Sequence, residues 1–237
     1  MNIGTANGIP ECLLYKGLGP APGERGHGGI LTMANRIRFT MAAQVAEAFP
    51  GATEDLGEIP DGVSPLDHLA SLGESEDLNP AVIFAALALP KRESVWWGCL
   101  ALRGMGALDE STREGLHLAE AWVRNPEEEE RRAAGEFAES EYFEGAGAWI
   151  AFAAFTTSGS LAPAGLQAVP PDPEVSGKCV AMAVMLATMD EDAFERLANM
   201  RAALESARDF ATGGDGTGAW EARKIERREK ISAGAGR

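Results

Sequence analysis

The stretch Asn79-Pro80-Ala81-Val82-Ile83-Phe84-Ala85-Ala86-Leu87-Ala88-Leu89-Pro90 decides the fold class. It opens with a cap-then-proline pair, the order that favours a helix start, and a second proline closes it. Every residue from Ala81 to Leu89 is apolar. The run is far shorter than the ~20 residues a membrane-spanning helix needs, and an all-apolar helix is stable in water only when other elements cover most of its sides. The stretch therefore predicts a helix at the centre of a packed domain. Residues Ala146 to Phe155, with Trp149, Phe152 and Phe155, predict a second one by the same reasoning, with Trp149 in the core.

The neighbouring segments repeat this grammar. Towards the N-terminus, Phe39, Ala42, Ala43, Ala46 and Phe49 recur at helical spacing from Arg36 until Pro50-Gly51. Ser64 caps a short helix, Pro65 to Leu72, which Gly73 ends. Towards the C-terminus, Pro90 opens a helix carrying Trp96, Trp97, Cys99 and Leu100 through Arg103, and Asp109 caps another to Arg124. Asn125-Pro126 repeats the cap-and-proline device. Glu127 to Glu130 follow in a first turn, where the helix dipole favours anions, and that helix runs to about Glu141. Thr157-Ser158-Gly159-Ser160 terminates the second apolar helix, and four prolines make residues 161–173 an extended loop. Val175 to Met189 is helical. Asp190 is expected to cap the last strong helix, with a stripe of Ala193, Leu197, Met200, Leu204, Ala207 and Ala211. No segment reads as a strand. The prediction is an all-α, orthogonal bundle of about seven to nine helices.

Three regions are expected. Residues 1–32 contain eleven Gly or Pro and no hydrophobic period, so they read as a disordered tail before the patterned segment that Met33-Ala34-Asn35 opens. Residues 33–212 form a single helical domain. Residues 213–237 begin with the glycine-rich run Gly213 to Gly218 and end in a charged tail. That tail reads either as a marginal helix docked through Trp220 and Ile225 or as a solvated segment.

Composition narrows the function classes. Apolar residues make up 45% of the 237, so a packed core is within reach. The 36 acidic against 21 basic residues give a net charge of −15, a field that opposes nucleic acid and anionic membranes. No secretory signal pattern opens the chain, and the three cysteines, Cys12, Cys99 and Cys179, form no closely spaced pair. A reduced, cytoplasmic setting without membrane insertion is expected.

Motifs for chemistry do not hold together. Glu114-x-x-His117 is half of a di-iron pattern whose only companion, Glu24-x-x-His27, falls in the tail. Ser158 and Ser160 flank Gly159 without the GxSxG elbow or its preceding strand, and the Gly213–Gly218 run has no lysine to complete a phosphate loop. Cys99 has no neighbour that would lower its pKa. No catalytic, cofactor-binding or metal-ligating residue is nominated, and no cofactor is expected. Trp96 and Trp97 are adjacent and cannot share a helix face, so one belongs to the core and the other, assigned as Trp97, to a groove or interface. Both Trp96 and Trp97 are kept as candidate protein-binding residues, together with Leu161, Pro163, Pro170 and Pro171 of the proline-rich loop, because aromatic anchors and loops carry most recognition.

The segment Leu89-Pro90-Lys91-Arg92-Glu93-Ser94-Val95-Trp96-Trp97-Gly98 resembles an uncharacterised bacterial family that occurs with type VI secretion genes. The resemblance continues at Ala119 to Val123 with Pro126, at Arg131-Arg132-Ala133-Ala134, at Ala148 to Ala151 and at Ser158 to Pro163. Val169-Pro170-Pro171 with Val180 and Val184 completes it, over roughly Arg36 to Gly213. That family often has an aromatic residue before its Ser-Gly-Ser loop, where this chain has Thr157. The resemblance implies a context and not a mechanism. It points to a non-enzymatic accessory or adaptor protein that binds a secretion component. The alternatives are an immunity-type or regulatory protein that neutralises a basic partner, and an enzyme with a site assembled from scattered residues.

Overall fold

The computed structural model describes residues 36–106, 108–163, 165–189 and 192–235. The expected tail at 1–32, the opening at Met33 and the capping residue Asp190 lie outside them. The described residues are all-α, with eleven α-helices and one 3-10 turn, Pro50–Ala52. The helices are α1 Ala43–Ala48, α2 Thr53–Leu56, α3 Pro65–Gly73, α4 Asn79–Ala88, α5 Lys91–Met105, α6 Glu110–Arg124, α7 Glu128–Ser140, α8 Gly145–Phe155, α9 Val175–Leu186, α10 Ala193–Ala211 and α11 Gly218–Ala235. The count exceeds seven to nine for two reasons. α2 is too short to show a period, and residues 218–235 form a full helix.

Local chemistry explains the starts and the departures from expectation. Ser64 Oγ accepts from the Asp67 N–H at 3.2 Å, and Asp109 Oδ1 from the Thr112 N–H at 2.6 Å. Asp192 caps α10 through the N–H groups of Phe194 and Glu195 at 2.9 and 3.1 Å. Asn79 is the first helical residue of α4 and not its cap; its N–H is met by Asp77 Oδ1 at 3.0 Å. At α7 the capping position falls to Glu127, after Asn125-Pro126. The helix expected from Arg36 begins only at Ala43. Arg36 is held by tertiary bonds instead: its N–H donates to the Ala211 carbonyl at 2.8 Å, and its guanidinium donates to Phe210 and Gly214 at 3.1 and 3.0 Å.

The two apolar stretches occupy the middle of the packing. α8 contacts α5, α6, α7 and α9, while α4 packs against α3, α5, α9 and α10. Phe84, Leu102, Leu116 and Ile150 are fully buried. α6 and α8 touch backbone to backbone. A Cβ placed on Gly115 would lie 2.1 Å from the Gly147 carbonyl oxygen, and one on Gly147 would lie 2.6 Å from the Ser111 carbonyl. Only glycine permits this approach, and it lets Leu116 and Ile150 bury completely.

The glycine-rich run after α10 is a hydrogen-bonded turn. Ser206 Oγ donates to the Gly216 carbonyl at 2.6 Å, and the Gly216 N–H donates to Asp209 Oδ2 at 2.9 Å. It turns the chain so that α11 packs on α10 and α5. Trp220 is buried against Gly104, whereas Ile225 is 55% exposed, so the first of the two expected anchors is the one the core uses. Arg223, also buried, reaches Asn199 Oδ1 at 3.1 Å and Glu195 at 2.6 Å, and Arg227 reaches the same asparagine oxygen at 2.8 Å. Arg223 and Arg227 of the locally basic C-terminal helix are thus satisfied inside the chain.

Candidate protein-binding face

The nominated residues separate into three environments. Trp97 is fully buried, and its Nε1–H donates to the Ala203 carbonyl at 3.0 Å. Its ring ties α5 to α10, so the recognition role assigned to it from sequence is replaced by a core role. Trp96 is half-buried and packs edge-to-face on Phe210, with ring centroids 4.8 Å apart and the Arg36 guanidinium lying over both rings. Leu161 and Pro171 are half-buried, while Pro163 and Pro170 are exposed in the loop between α8 and α9.

That loop is held at its base. The Leu161 N–H donates to the Val169 carbonyl at 2.8 Å, and Ser160 Oγ accepts from the N–H groups of Ala162 and Val169 at 3.1 and 3.0 Å. Beneath it lies Arg131, 1% exposed, whose guanidinium donates to the carbonyls of Phe155 at 2.6 Å and Ser160 at 3.1 Å. Its other edge grips Glu128 in a two-bond fork at 2.6 and 2.8 Å. Hydrogen bonds from Arg131, and then from Arg132, pull the Glu128 carboxyl from 4.5 to about 2. Gly159 sits at φ +69° directly over the guanidinium, where a Cβ would come within 2.9 Å of it. The Arg-Arg and Ser-Gly-Ser segments, distant in sequence, are therefore one structural unit. Here Ser158, Gly159 and Ser160 close a loop.

Glu114 and His117 lie on the solvent side of α6, and no cluster of metal-ligating side chains occurs among the described residues. Cys99 and Cys179 are buried free thiols. Burial pushes the first well above its usual range and the second up to about 12. His68 is 3% exposed, stacks edge-on against Phe84 at 4.8 Å, and has no hydrogen-bond partner at Nε2. Burial lowers its pKa.

One feature of the surface has no counterpart in the sequence reading. Between α7 and α8 the chain reads Glu141-Tyr142-Phe143-Glu144, and Tyr142 is 84% exposed and Phe143 37% exposed. Phe143 is 4.9 Å from the Phe152 ring and 6.3 Å from that of Trp149. Trp149 and Phe152 are half-buried, so Trp149 belongs to this aromatic face and not to the deep core expected for it. Both Tyr142 and Phe143 adopt left-handed backbone, φ 53° and 59°, a conformation costing ~1–2 kcal/mol for a residue with a Cβ. The Phe143 N–H donates to the Ala138 carbonyl at 3.0 Å, closing the end of α7; the Tyr142 ring is left exposed while Phe143 packs on Phe152. Exposed Glu139 and Glu144 flank the pair, and Glu141 is fixed by Ser111 Oγ at 2.6 Å. The available signal was two consecutive aromatics in a polar connection, with no periodic partner on either helix.

Among the described residues no helix is long and apolar enough to cross a membrane. The molecule is an all-α helical bundle with an acidic-flanked aromatic face. Residues 68–211, more than half of the chain, match the model of a family of unknown function (DUF6931), and the chain belongs to that family. No curated protein and no solved structure matches it.

Proposed function

We propose that this protein works by binding a basic protein partner through the aromatic face between α7 and α8, as a non-catalytic accessory or adaptor. The observation that carries the reading is the Tyr142-Phe143 pair. In strained backbone the Tyr142 ring stands out into solvent and Phe143 packs on Phe152 near Trp149, with glutamates on both sides. Exposed aromatics are the commonest binding anchors, and strain kept at a surface turn is typical of a functional position. The acidic flank and the net charge of −15 steer a partner of opposite sign. The exposed loop at Pro163 and Pro170, fixed on Arg131, offers a second contact surface on a rigid base. The resemblance to proteins found with type VI secretion genes supports seeking the partner among the components of such a system, in the cytoplasm. Titration of the purified chain against those components at low and high salt tests the reading. Saturable binding that weakens as salt screens the charges is expected. Absence of binding at micromolar concentration, together with turnover in an activity screen, would overturn it.

A further inference from the structure

A cavity of about 460 Å³ opens where the segment before α1, the α4–α5 corner and the start of α9 meet. This lies in the size range of small-molecule sites, ~300–1,000 Å³. Its walls are Phe39, Phe49, Leu87 and Leu89, and two cations, Arg38 and Lys91, stand among them. Phe39 and Phe49 meet edge-to-face at 6.2 Å, forming one aromatic wall. Lys91 Nζ donates to the Thr157 carbonyl at 3.0 Å, a neutral acceptor that uses one of its three protons. Arg38 is exposed and has no hydrogen bond or ion pair among the described residues. Burial lowers the Lys91 pKa, Arg38 lowers it further, and Glu174 opposes with the smallest effect of the three. The half-buried Lys91 and the exposed Arg38 repel each other at this cavity, and Glu174 offsets only part of their charge, which leaves a locally positive mouth on a protein whose net charge is −15.

We propose that this cavity binds a small organic acid, with its apolar body against Phe39, Phe49, Leu87 and Leu89 and its carboxylate between Arg38 and Lys91. A carboxylate fits this pair better than a phosphate dianion does, because Glu174 leaves the mouth with roughly one net positive charge. Apolar walls of that extent have no use for a bare inorganic anion.

Calorimetric titration of the full chain with octanoate tests this, with octanol as the uncharged match. One octanoate per chain, saturating below the millimolar range, is expected, with octanol at least about tenfold weaker. Arg38→Gln changes an exposed side chain that has no hydrogen bond or ion pair among the described residues, so that variant keeps its structure. It should lose about tenfold in octanoate affinity, and Lys91→Met should lose as much or more. Equal binding of octanol, unchanged affinity in Arg38→Gln, or no saturation with octanoate would overturn the proposal. So would tighter binding of a leucine-terminated peptide, which would make the site a peptide-end pocket.

Discussion

Gly115→Ala is a one-methyl change with a calculable consequence. The new Cβ would sit 2.1 Å from the Gly147 carbonyl oxygen, where ordinary contact begins near 3.4 Å. The obstacle is backbone, so no side-chain rotation relieves it, and α6 and α8 must separate by about 1 Å. A gap of that size forfeits a quarter to a half of the dispersion contacts across it. Leu116, Ile150 and Ala151 are fully buried beside it, and burial of each large side chain is worth ~1.5–3 kcal/mol. The substitution should therefore cost ~2–4 kcal/mol, against a typical total stability of ~5–15 kcal/mol. Urea unfolding followed by circular dichroism reads this as a midpoint lowered by ~0.7 M or more, given the usual dependence of ~1–3 kcal/mol per M. Gly73→Ala is the control. It lies at the end of α3 with nothing within 4 Å of its added Cβ, and should be neutral or slightly stabilising. If Gly115→Ala unfolds at the parent's midpoint, the two helices do not approach as described.

Tyr142→Gly should stabilise the chain by ~0.5–1 kcal/mol in the same assay, because an 84% exposed ring has little packing to lose and the left-handed strain is relieved. Arg131→Leu should cost ~2–4 kcal/mol by stranding the Phe155 and Ser160 carbonyls, and NMR titration should find the Glu128 carboxyl moved from about 2 toward 4.5. His68 gives a pH effect of definite sign. Its folded pKa is below the ordinary 6.5, so beneath that value the unfolded chain takes up a proton the folded one resists, and stability present above pH ~6.5 falls on acidification. His68→Phe should flatten the fall in urea midpoint between pH 7 and pH 5 relative to the parent; parallel curves would contradict the assignment.

Elements carrying their own signals were legible in the sequence. α4 and α8 declare burial by being apolar throughout, and Ser64 and Asp109 cap where their spacing says they should. The failures have a common physical cause, which is that tertiary partners decide what local pattern cannot. Arg36 starts no helix because its donors are taken by the end of α10. Asp192 caps α10 in a sequence with several acidic residues in a row, and spacing alone does not choose among them. Of two adjacent tryptophans, the one turned inward is fixed by a carbonyl on a helix about a hundred residues away, Ala203. Trp149 reads as core because its helix is apolar, yet the rings of Phe143 and Phe152 place it at the edge of the surface. The cavity of Arg38 and Lys91 joins segments separated by most of the domain and has no linear signature.

The central claim is that the aromatic face between α7 and α8 binds a partner protein. The direct measurement is the dissociation constant for the partner protein proposed above, compared between Tyr142→Ser and a Pro170→Ala change in the proline-rich loop. Both positions are exposed, so neither variant should disturb the fold. The account predicts a loss of tenfold or more, about 1.4 kcal/mol, for Tyr142→Ser and a smaller loss for Pro170→Ala. Unchanged affinity in Tyr142→Ser with a clear loss in Pro170→Ala would contradict it and move the binding surface to the loop.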